Sequence, residues 1–293
     1  MKLSKPNPVM GLISGLTAAA IWGGMYVVSK VVMEVIPPFS LIVVRLVLGI
    51  LTLTVVIIIR RGWKVTSIQF WRIFGVGMVG YGISLGFQFV GTKLSTAANG
   101  ALVTSATPAF VLLFAALLLS EHITPRRLLA LAIATAGVVA VINPHYAALS
   151  SSFFLGNLCL VAAALTWALY SVLIRKVTRD TDVLTTTLIA FIGGLPICLP
   201  PAVWELATGA WGPIRVGLVG GILFLGIIST ALAMYLWNTA FTMLDASAAS
   251  LTFFAQPVVG TLLSVIFLNE HITPLFVIGG ILIGIALLIS SRE

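Results

Sequence analysis

Ten long apolar stretches dominate this sequence, and each is close to the length that crosses a lipid bilayer as a helix. A hydrocarbon core of about 30 Å needs roughly 20 helical residues. The stretches are uniformly apolar rather than short and alternating, so they predict helices and not a membrane barrel. The predicted spans are residues 10–30, 38–59, 70–92, 97–119, 126–143, 154–175, 183–204, 214–237, 247–268 and 273–290.

The composition excludes a soluble core of this size. Of 293 residues, 60% are hydrophobic and 8% are charged, whereas about 25% are charged in a typical soluble domain. The net charge of +8 is divided among small clusters between apolar stretches, which indicates membrane topology rather than a nucleic-acid partner. We therefore expect lipid as the surrounding solvent. The first apolar run continues to Val28, and we interpret it as a retained span rather than a cleaved signal.

The positions of Lys and Arg predict the orientation in the membrane. With the N-terminus inside, the cytoplasmic side collects Lys2, Lys5, Arg60, Arg61, Lys64, Arg72, Arg126, Arg127, Arg175, Lys176, Arg179 and Arg292. The other side collects only Lys30, Lys93 and Arg215. This bias predicts that the N-terminus faces the cytoplasm, and we expect a multi-pass protein of the cell inner (cytoplasmic) membrane. An even number of spans puts both termini in the cytoplasm.

An internal repeat divides the chain into two similar parts. Residues 106–125 read ATPAFVLLFAALLLSEHITP, and residues 255–274, at an offset of 149, read AQPVVGTLLSVIFLNEHITP. Each segment ends in Thr-Pro, which is typical of an N-cap followed by proline at the first helical position. Further upstream, Trp22 near Lys30 corresponds to Trp167 near Arg175. The repeat predicts two copies of a five-helix unit, residues 1–147 and 148–293.

The odd number of helices per copy has a consequence for orientation. The second copy must enter the membrane from the opposite side, so the two repeats are predicted to be inverted. The predicted fold is an all-α integral membrane protein of ten transmembrane helices. Inverted repeats are common in transporters, because two similar halves can exchange conformations and so change the side that is open. The alternative is that the duplication only stabilises a channel or scaffold.

Several segments together resemble the EamA-type members of the drug/metabolite transporter superfamily. They are AAAIWGGMYVVSK in the first span, LIVVRLVLGILTL in the second, TALAMYLWNTA in the eighth, and the Pro108 and Pro257 helices with their E-H-I-T ends. The resemblance covers the whole chain. It implies a basket of ten helices around a central cavity, with the fifth and tenth spans outside it. The pattern is most similar to bacterial exporters of aromatic and other neutral amino acids.

Arg45 is the one ionisable residue that we place deep inside a span. A charge there is costly, so it should face protein or water and have a partner. It can either bind the carboxylate of a solute or hold the helix bundle together. The resemblance favours the second role, because it implies an arginine here in members with different substrates.

Acidic side chains and histidines all fall near the predicted membrane faces. Proton-driven carriers usually place a carboxylate or histidine along the path, so we expect facilitated or exchange transport. The exception to consider is the repeated pair Glu121 and Glu270, which could sense protons at the helix ends or simply cap helix starts.

Aromatic and amide side chains within the spans are the candidate substrate site. An apolar cavity with a few polar groups suits a small amphipathic solute, and buried amides and indoles need hydrogen-bond partners. The candidates are Trp22, Tyr26, Tyr81, Gln88, Asn99, Trp167, Tyr170, Trp237, Asn238 and Gln256. For any single aromatic residue, a place in the interfacial belt is the simpler interpretation. Pro108 and Pro257 are candidate hinges for gating.

The motifs of common enzymes are missing from the sequence. It contains no H-E-x-x-H, no P-loop and no paired carboxylates at membrane depth, so we expect neither catalysis nor a cofactor or metal. The resulting hypothesis is an alternating-access exporter of neutral, especially aromatic, amino acids. The alternatives are efflux of a purine, a nucleotide-derived metabolite or a cationic drug, with or without proton coupling, and, in another class, a scaffold or lipid-modifying enzyme. A monomer is compatible with the sequence, which does not fix the oligomeric state.

Overall fold

The computed structural model describes residues 7–60, 65–104, 106–119, 124–142, 151–178, 181–244 and 246–291. Within these ranges the regular structure is entirely helical. The first half contains α1 (Pro8–Val32), α2 (Pro38–Arg60), α3 (Ser67–Leu94), α4a (Ala97–Thr104), α4b (Thr107–Leu119) and α5 (Pro125–Ile142). The second half contains α6 (Ser151–Val177), α7 (Val183–Ala207), α8 (Val216–Met243), α9a (Ala246–Leu251), α9b (Ala255–Leu268) and α10 (Pro274–Ser291).

Seven of the described helices are long and apolar enough to cross a membrane. They are α1, α2, α3, the combined α4a and α4b, α6, α7 and α8. The helices α9b and α10 are apolar but shorter. Each of the ten predicted spans falls on helical structure, with bounds that differ by a few residues, and the spans 97–119 and 247–268 each cover two helices.

Side-chain caps explain where several helices begin. Asn7 accepts a hydrogen bond from the Met10 amide at the start of α1, and Asp182 accepts from the amides of Leu184 and Thr185 at the start of α7. Thr66 and Gln69 form a capping box at α3. These side chains satisfy amides that have no partner within the first turn. The predicted starts at Pro125 and Pro274 are confirmed.

The helix bounds repeat along the chain. The third, fourth and fifth helices begin at Ser67, Ala97 and Pro125, and α8, α9a and α10 begin 149 residues later, at Val216, Ala246 and Pro274. Both α3 and α8 contain a π-helical stretch, Met78–Ser84 and Phe224–Leu232. The boundary between residues 147 and 148 and the repeated acid Glu121 lie outside the described residues.

The fourth and ninth helices are both interrupted at corresponding positions. The helix α4a ends at Thr104, and α4b resumes at Thr107, one residue before Pro108. In the second half, a short 3₁₀ turn at Thr252–Phe254 separates α9a from α9b, and Pro257 follows it. Proline cannot donate the backbone hydrogen bond of a helix interior, so it is compatible with a break just upstream. Near the first break, the Ala101 carbonyl accepts a hydrogen bond from the Gln256 side chain.

The packing of the helices follows the repeat. The helix α1 packs on α9b and α8, and its counterpart α6 packs on α4b and α3. In the same way α3 packs on α7 while α8 packs on α2, and the pairs α2–α7 and α5–α10 are their own counterparts. Exchanging the two halves therefore leaves these contacts unchanged. The core lies between the halves, where Trp22, Tyr26, Tyr81, Tyr170 and Trp237 are buried.

Candidate functional site

A small cavity lies at the centre of this core, between the two halves. Its volume is about 20 Å³, which is the space of about one water molecule. The lining consists of Trp22, Met25, Tyr26, Ser84, Gln88, Thr104, Thr107, Ala163, Ala164, Trp167, Met234, Phe253 and Gln256. Among these described residues none is Asp, Glu, His, Lys or Arg. None of these described lining residues belongs to α5 or α10; the place of these two helices outside the basket stays a prediction.

A chain of hydrogen bonds crosses the polar wall of the cavity. The amide nitrogen of Gln88 lies 2.7 Å from the Tyr26 hydroxyl, which lies 2.8 Å from the Thr104 hydroxyl. The amide nitrogen of Gln256 lies 2.7 Å from the same Thr104 oxygen. Thr104, the last residue of α4a, thus bonds to Tyr26 of α1 and to Gln256 of α9b, so three segments of the chain meet at one hydroxyl. Gln88 of α3 joins them through Tyr26. The amides of Gln88 and Gln256 are thereby held in fixed orientations.

Aromatic rings form the opposite wall. Trp22 contacts Trp167, Trp237 and Phe253, with ring centroids 5.6, 5.3 and 5.7 Å apart. The Trp22 indole nitrogen donates to the Ser229 carbonyl at 3.0 Å. The Trp167 nitrogen is buried and has no hydrogen-bond partner among the described residues. An unpaired buried donor costs about 1–3 kcal/mol of stability. A solute group that accepts a hydrogen bond from the Trp167 nitrogen would offset this cost.

A second polar cluster lies beyond the aromatic wall and outside the lining. The hydroxyls of Tyr81 and Tyr170 are 2.6 Å apart, and Tyr170 donates to Asn238 at 3.1 Å. Asn238 in turn donates to the Thr187 hydroxyl at 2.9 Å. The cluster joins α3, α6, α7 and α8. Because its members pair with one another, they are a structural link between the halves rather than free binding groups.

Arg45 is completely buried but does not line the cavity. Its guanidinium group donates to the hydroxyls of Thr230 at 3.0 Å and Ser229 at 3.3 Å, and it lies over the Phe89 ring at 4.6 Å. Its partners are thus hydroxyls and a ring on α8 and α3, not helix-end carbonyls. This geometry fits the bundle-holding role, with α2 tied to the π-helical stretch of α8.

Asn99 also lies away from the cavity. Its amide nitrogen donates to Ser95 Oγ at 3.2 Å and to Asn157 Oδ1 at 3.1 Å. Nearby, Lys30 donates to the carbonyls of Thr92, Lys93 and Ser95 at the end of α3. These contacts close the junction between α3 and α4a.

The structure therefore divides the ten predicted substrate residues into two groups. Trp22, Tyr26, Gln88, Trp167 and Gln256 line the cavity. Tyr81, Asn99, Tyr170, Trp237 and Asn238 do not. Sequence reasoning missed Thr104, Thr107 and Phe253. The repeat could have revealed Thr107, which corresponds to the predicted Gln256, whereas Thr104 and Phe253 correspond only to each other. Pro108 and Pro257 lie at the two helix interruptions, and their hinge role stays a prediction.

The side chains of the lining offer groups that can bind a solute. In the described part of the chain, no three His, Cys, Asp or Glu side chains come together where a metal could be held. The lining offers ring faces, hydroxyls and amides, which suit the recognition of a small amphipathic solute.

A multi-pass helical membrane protein, with a repeated unit and a central cavity, is the class that these features define. The chain belongs to the EamA-like transporter family, whose model matches residues 9–143 and again 154–292. An uncharacterized transporter of Archaeoglobus fulgidus is 27% identical over 266 residues, covering 89% of this chain and 90% of the relative. The uncharacterized transporter YoaV of Bacillus subtilis is 24% identical, covering 94% and 93%.

Two further similarities concern substrate and fold. The aromatic amino acid exporter YddG of Ancylobacter novellus is 25% identical over 267 residues, covering 86% of each chain. One solved crystal structure superposes with a TM-score of 0.72 at 22% identity, covering 97% of this chain and 98% of the other. The second similarity establishes the fold alone. The relatives are named transporters, consistent with a protein that is not an enzyme.

Proposed function

We propose that this protein is an inner-membrane carrier that exports neutral, mainly aromatic, amino acids by alternating access. The observation that carries the proposal is the central cavity, which combines aromatic rings with amides and hydroxyls and has no charged residue among its described lining. Such a wall suits a solute with an apolar ring and no net charge. The similarity to an aromatic amino acid exporter supports the same substrate class.

Contacts between helix ends support a topology of ten alternating spans. The Glu205 carboxylate, near the end of α7, accepts from the amides of Phe39 and Ser40 at the start of α2. Glu270, just after α9b, accepts from the amides of Ala97 and Ala98 at the start of α4a. In ten alternating spans with cytoplasmic termini, all four of these ends lie on the outer face. The contacts are therefore compatible with two inverted halves.

The size of the cavity implies movement during transport. A space of about 20 Å³ cannot hold an amino acid, so the two halves must separate on one side to admit it. Because the halves share a common pattern of contacts, each can adopt the arrangement of the other. The interruptions before Pro108 and Pro257 are the matching points where the fourth and ninth helices would bend.

The residues of the cavity lining also indicate whether transport is coupled to protons. None of its described members is a carboxylate or histidine, which are the groups that proton-coupled carriers usually place along the path. We therefore propose facilitated or exchange transport. For the same reason the site suits a cationic drug less well, because no acidic side chain is available to pair with it.

Proteoliposomes containing the purified protein test this proposal. Vesicles loaded with unlabelled phenylalanine should take up radiolabelled phenylalanine without ATP, and protein-free vesicles should not. A pH difference alone, with the membrane potential held at zero, should not drive accumulation. Absence of exchange across a panel of phenylalanine, tyrosine, tryptophan, leucine and methionine would refute the substrate class. Uphill uptake driven by pH would refute the uncoupled mechanism.

A further inference from the structure

We propose that the side-chain carbonyl oxygens of Gln88 and Gln256 form a subsite for the amino group of the solute. The inference rests on the proposed function, because it assigns one part of the transported solute to one part of the cavity wall. It follows from the direction of each hydrogen bond in the polar wall. Two backbone carbonyls fix these directions, since a carbonyl oxygen can only accept.

The first assignment concerns the side-chain amide of Gln256, whose nitrogen and oxygen can be told apart. Its side-chain amide lies 3.2 Å from the Ala101 carbonyl oxygen and 2.7 Å from the Thr104 hydroxyl. Only the amide nitrogen can donate to a carbonyl, so this atom must be Nε2. The nitrogen of Gln256 is therefore occupied by the end of α4a, and its Oε1 points elsewhere.

The second assignment concerns the hydroxyl proton of Thr104. Its hydroxyl lies 2.6 Å from the Gly100 carbonyl oxygen, so the single hydroxyl proton is donated there. Thr104 Oγ1 must then accept from both Gln256 and Tyr26, which uses its two lone pairs. The Tyr26 hydroxyl, 2.8 Å away, is thus the donor in that pair.

The hydrogen bond between Tyr26 and Gln88 then has a fixed direction as well. Because the Tyr26 proton is given to Thr104, the Tyr26 oxygen accepts from the Gln88 amide at 2.7 Å, and this atom must be the Gln88 nitrogen. Gln256 therefore uses both of its N–H groups on the wall itself, and Gln88 uses one of its two. In the described part of the chain, no side chain or amide donates to Oε1 of either residue.

The cavity wall is consequently richer in acceptors than in donors. Gln88 and Gln256 both line the cavity, and each retains an oxygen that can accept a hydrogen bond. Thr104 is saturated and cannot compete. The matching ligand group is one that only donates, and an ammonium group, with three N–H bonds and no lone pair, is the clearest case. A carboxylate, which only accepts, cannot bond to these oxygens; the donors left to it in the lining are the second N–H of Gln88 and the Trp167 N–H, which has no partner in the described part of the chain.

The subsite has no counterpart at the equivalent positions of the repeat. The residues that correspond to Gln88 and Gln256 at the offset of 149 are Trp237 and Thr107. Trp237 donates to Ser171, just as Gln88 donates to Tyr26, but an indole has no carbonyl oxygen to offer. A solute therefore meets one amine-binding wall and one aromatic wall, so its amino group and its ring have separate places.

Three probes that share a phenyl ring test the subsite: phenylalanine, phenethylamine, which lacks the carboxylate, and 3-phenylpropionate, which lacks the amino group. Their inhibition of phenylalanine counterflow and their stabilisation of the detergent-purified protein against heat are measured in parallel. Hydrogen bonds to charged groups are worth about tenfold or more in affinity. Phenethylamine should therefore compete at least about tenfold better than 3-phenylpropionate. Equal or better competition by 3-phenylpropionate would overturn the proposal.

Two substitutions at one position sharpen the test. Gln88→Met, which removes the carbonyl at similar volume, should weaken phenylalanine and phenethylamine by about tenfold and leave 3-phenylpropionate within twofold. Gln88→Glu keeps an acceptor and adds a negative charge, so phenethylamine should bind more tightly. Equal weakening of all three probes by Gln88→Met, in a protein with an unchanged melting temperature, would overturn the subsite.

The two measurements separate this inference from the proposed function. Amine-dependent heat stabilisation that Gln88→Met abolishes, in a protein that moves no amino acid, would support the subsite and refute the transport assignment. Phenylalanine exchange without any preference for the amino group would support the transport assignment and refute the subsite.

Discussion

The indole rings of Trp22 and Trp167 meet edge to face across the boundary between the two halves, with an interplanar angle of 89°. The two residues occupy the same place in the repeat, yet their N–H groups differ. Trp22 donates to the Ser229 carbonyl, whereas the Trp167 nitrogen has no partner in the described part of the chain. A symmetric fold therefore holds an asymmetric site, and the asymmetry can be measured.

Replacing each tryptophan by phenylalanine separates the two roles. Trp22→Phe removes a hydrogen bond to a buried carbonyl and should cost about 1 kcal/mol more in the free energy of unfolding than Trp167→Phe. Trp167→Phe removes a donor that was already unpaired, so it should affect the KM for the solute more than the stability. Thermal unfolding in detergent and transport kinetics check both statements. Equal loss of stability in the two variants would contradict this account.

Close packing of α3 on α7 gives a second prediction. A Cβ atom at Gly77 would lie 2.1 Å from the Ala190 carbonyl oxygen, whereas one at Gly75 would meet nothing within 4 Å. Gly77→Ala must push two backbones apart and should cost more than about 2 kcal/mol in the free energy of unfolding. Gly75→Ala, on the same helix, should leave the unfolding midpoint unchanged or slightly higher, because alanine favours helix. Similar midpoints for both variants would show that the contact is not tight.

Much of the fold could be predicted from the sequence, because lipid leaves few alternatives. A chain that cannot hydrogen-bond to water must satisfy its backbone within helices, so the apolar stretches predict where the helices lie. The repeated Thr-Pro signals predicted the starts of α5 and α10. The interruption after Thr104 was not predicted, since the proline that follows it suggested a hinge but not a break in the helix.

The site was harder to predict for a different reason. Tyr81, Tyr170 and Asn238 look like binding residues by type, yet they satisfy one another in a buried cluster. The sequence shows which side chains need partners, but not which of them are already paired. Thr104, which has no distinctive sequence signal, became central because Tyr26 and Gln256, from two other segments of the chain, both bond to its hydroxyl.

The two glutamates that cap helices of the other half give a third prediction. Glu270 holds the first amides of α4a, and Glu205 holds those of α2. Loss of such a cap costs about 1 kcal/mol, which corresponds to roughly fivefold faster hydrogen exchange where local opening limits it. Glu270→Ala should therefore accelerate exchange in residues 97–104 but not in residues 38–45, and Glu205→Ala should do the reverse. Acceleration of both segments by either variant would indicate global loosening instead of local caps.

The inverted arrangement of the halves gives the last prediction. Ser67 and Val216 are equivalent, because each is the first residue of the third helix of its half, and both side chains are exposed. If the second half is inverted, Ser67 lies at the cytoplasmic face and Val216 at the outer face. Single cysteines are placed at these positions after Cys159 and Cys198 are changed to alanine. A membrane-impermeant maleimide added to intact cells should then label the cysteine at 216 and not the one at 67, while inside-out vesicles should give the opposite pattern. Labelling of both positions from one face would show that the repeats are parallel, and an alternating exchange between inverted halves would then have no structural basis.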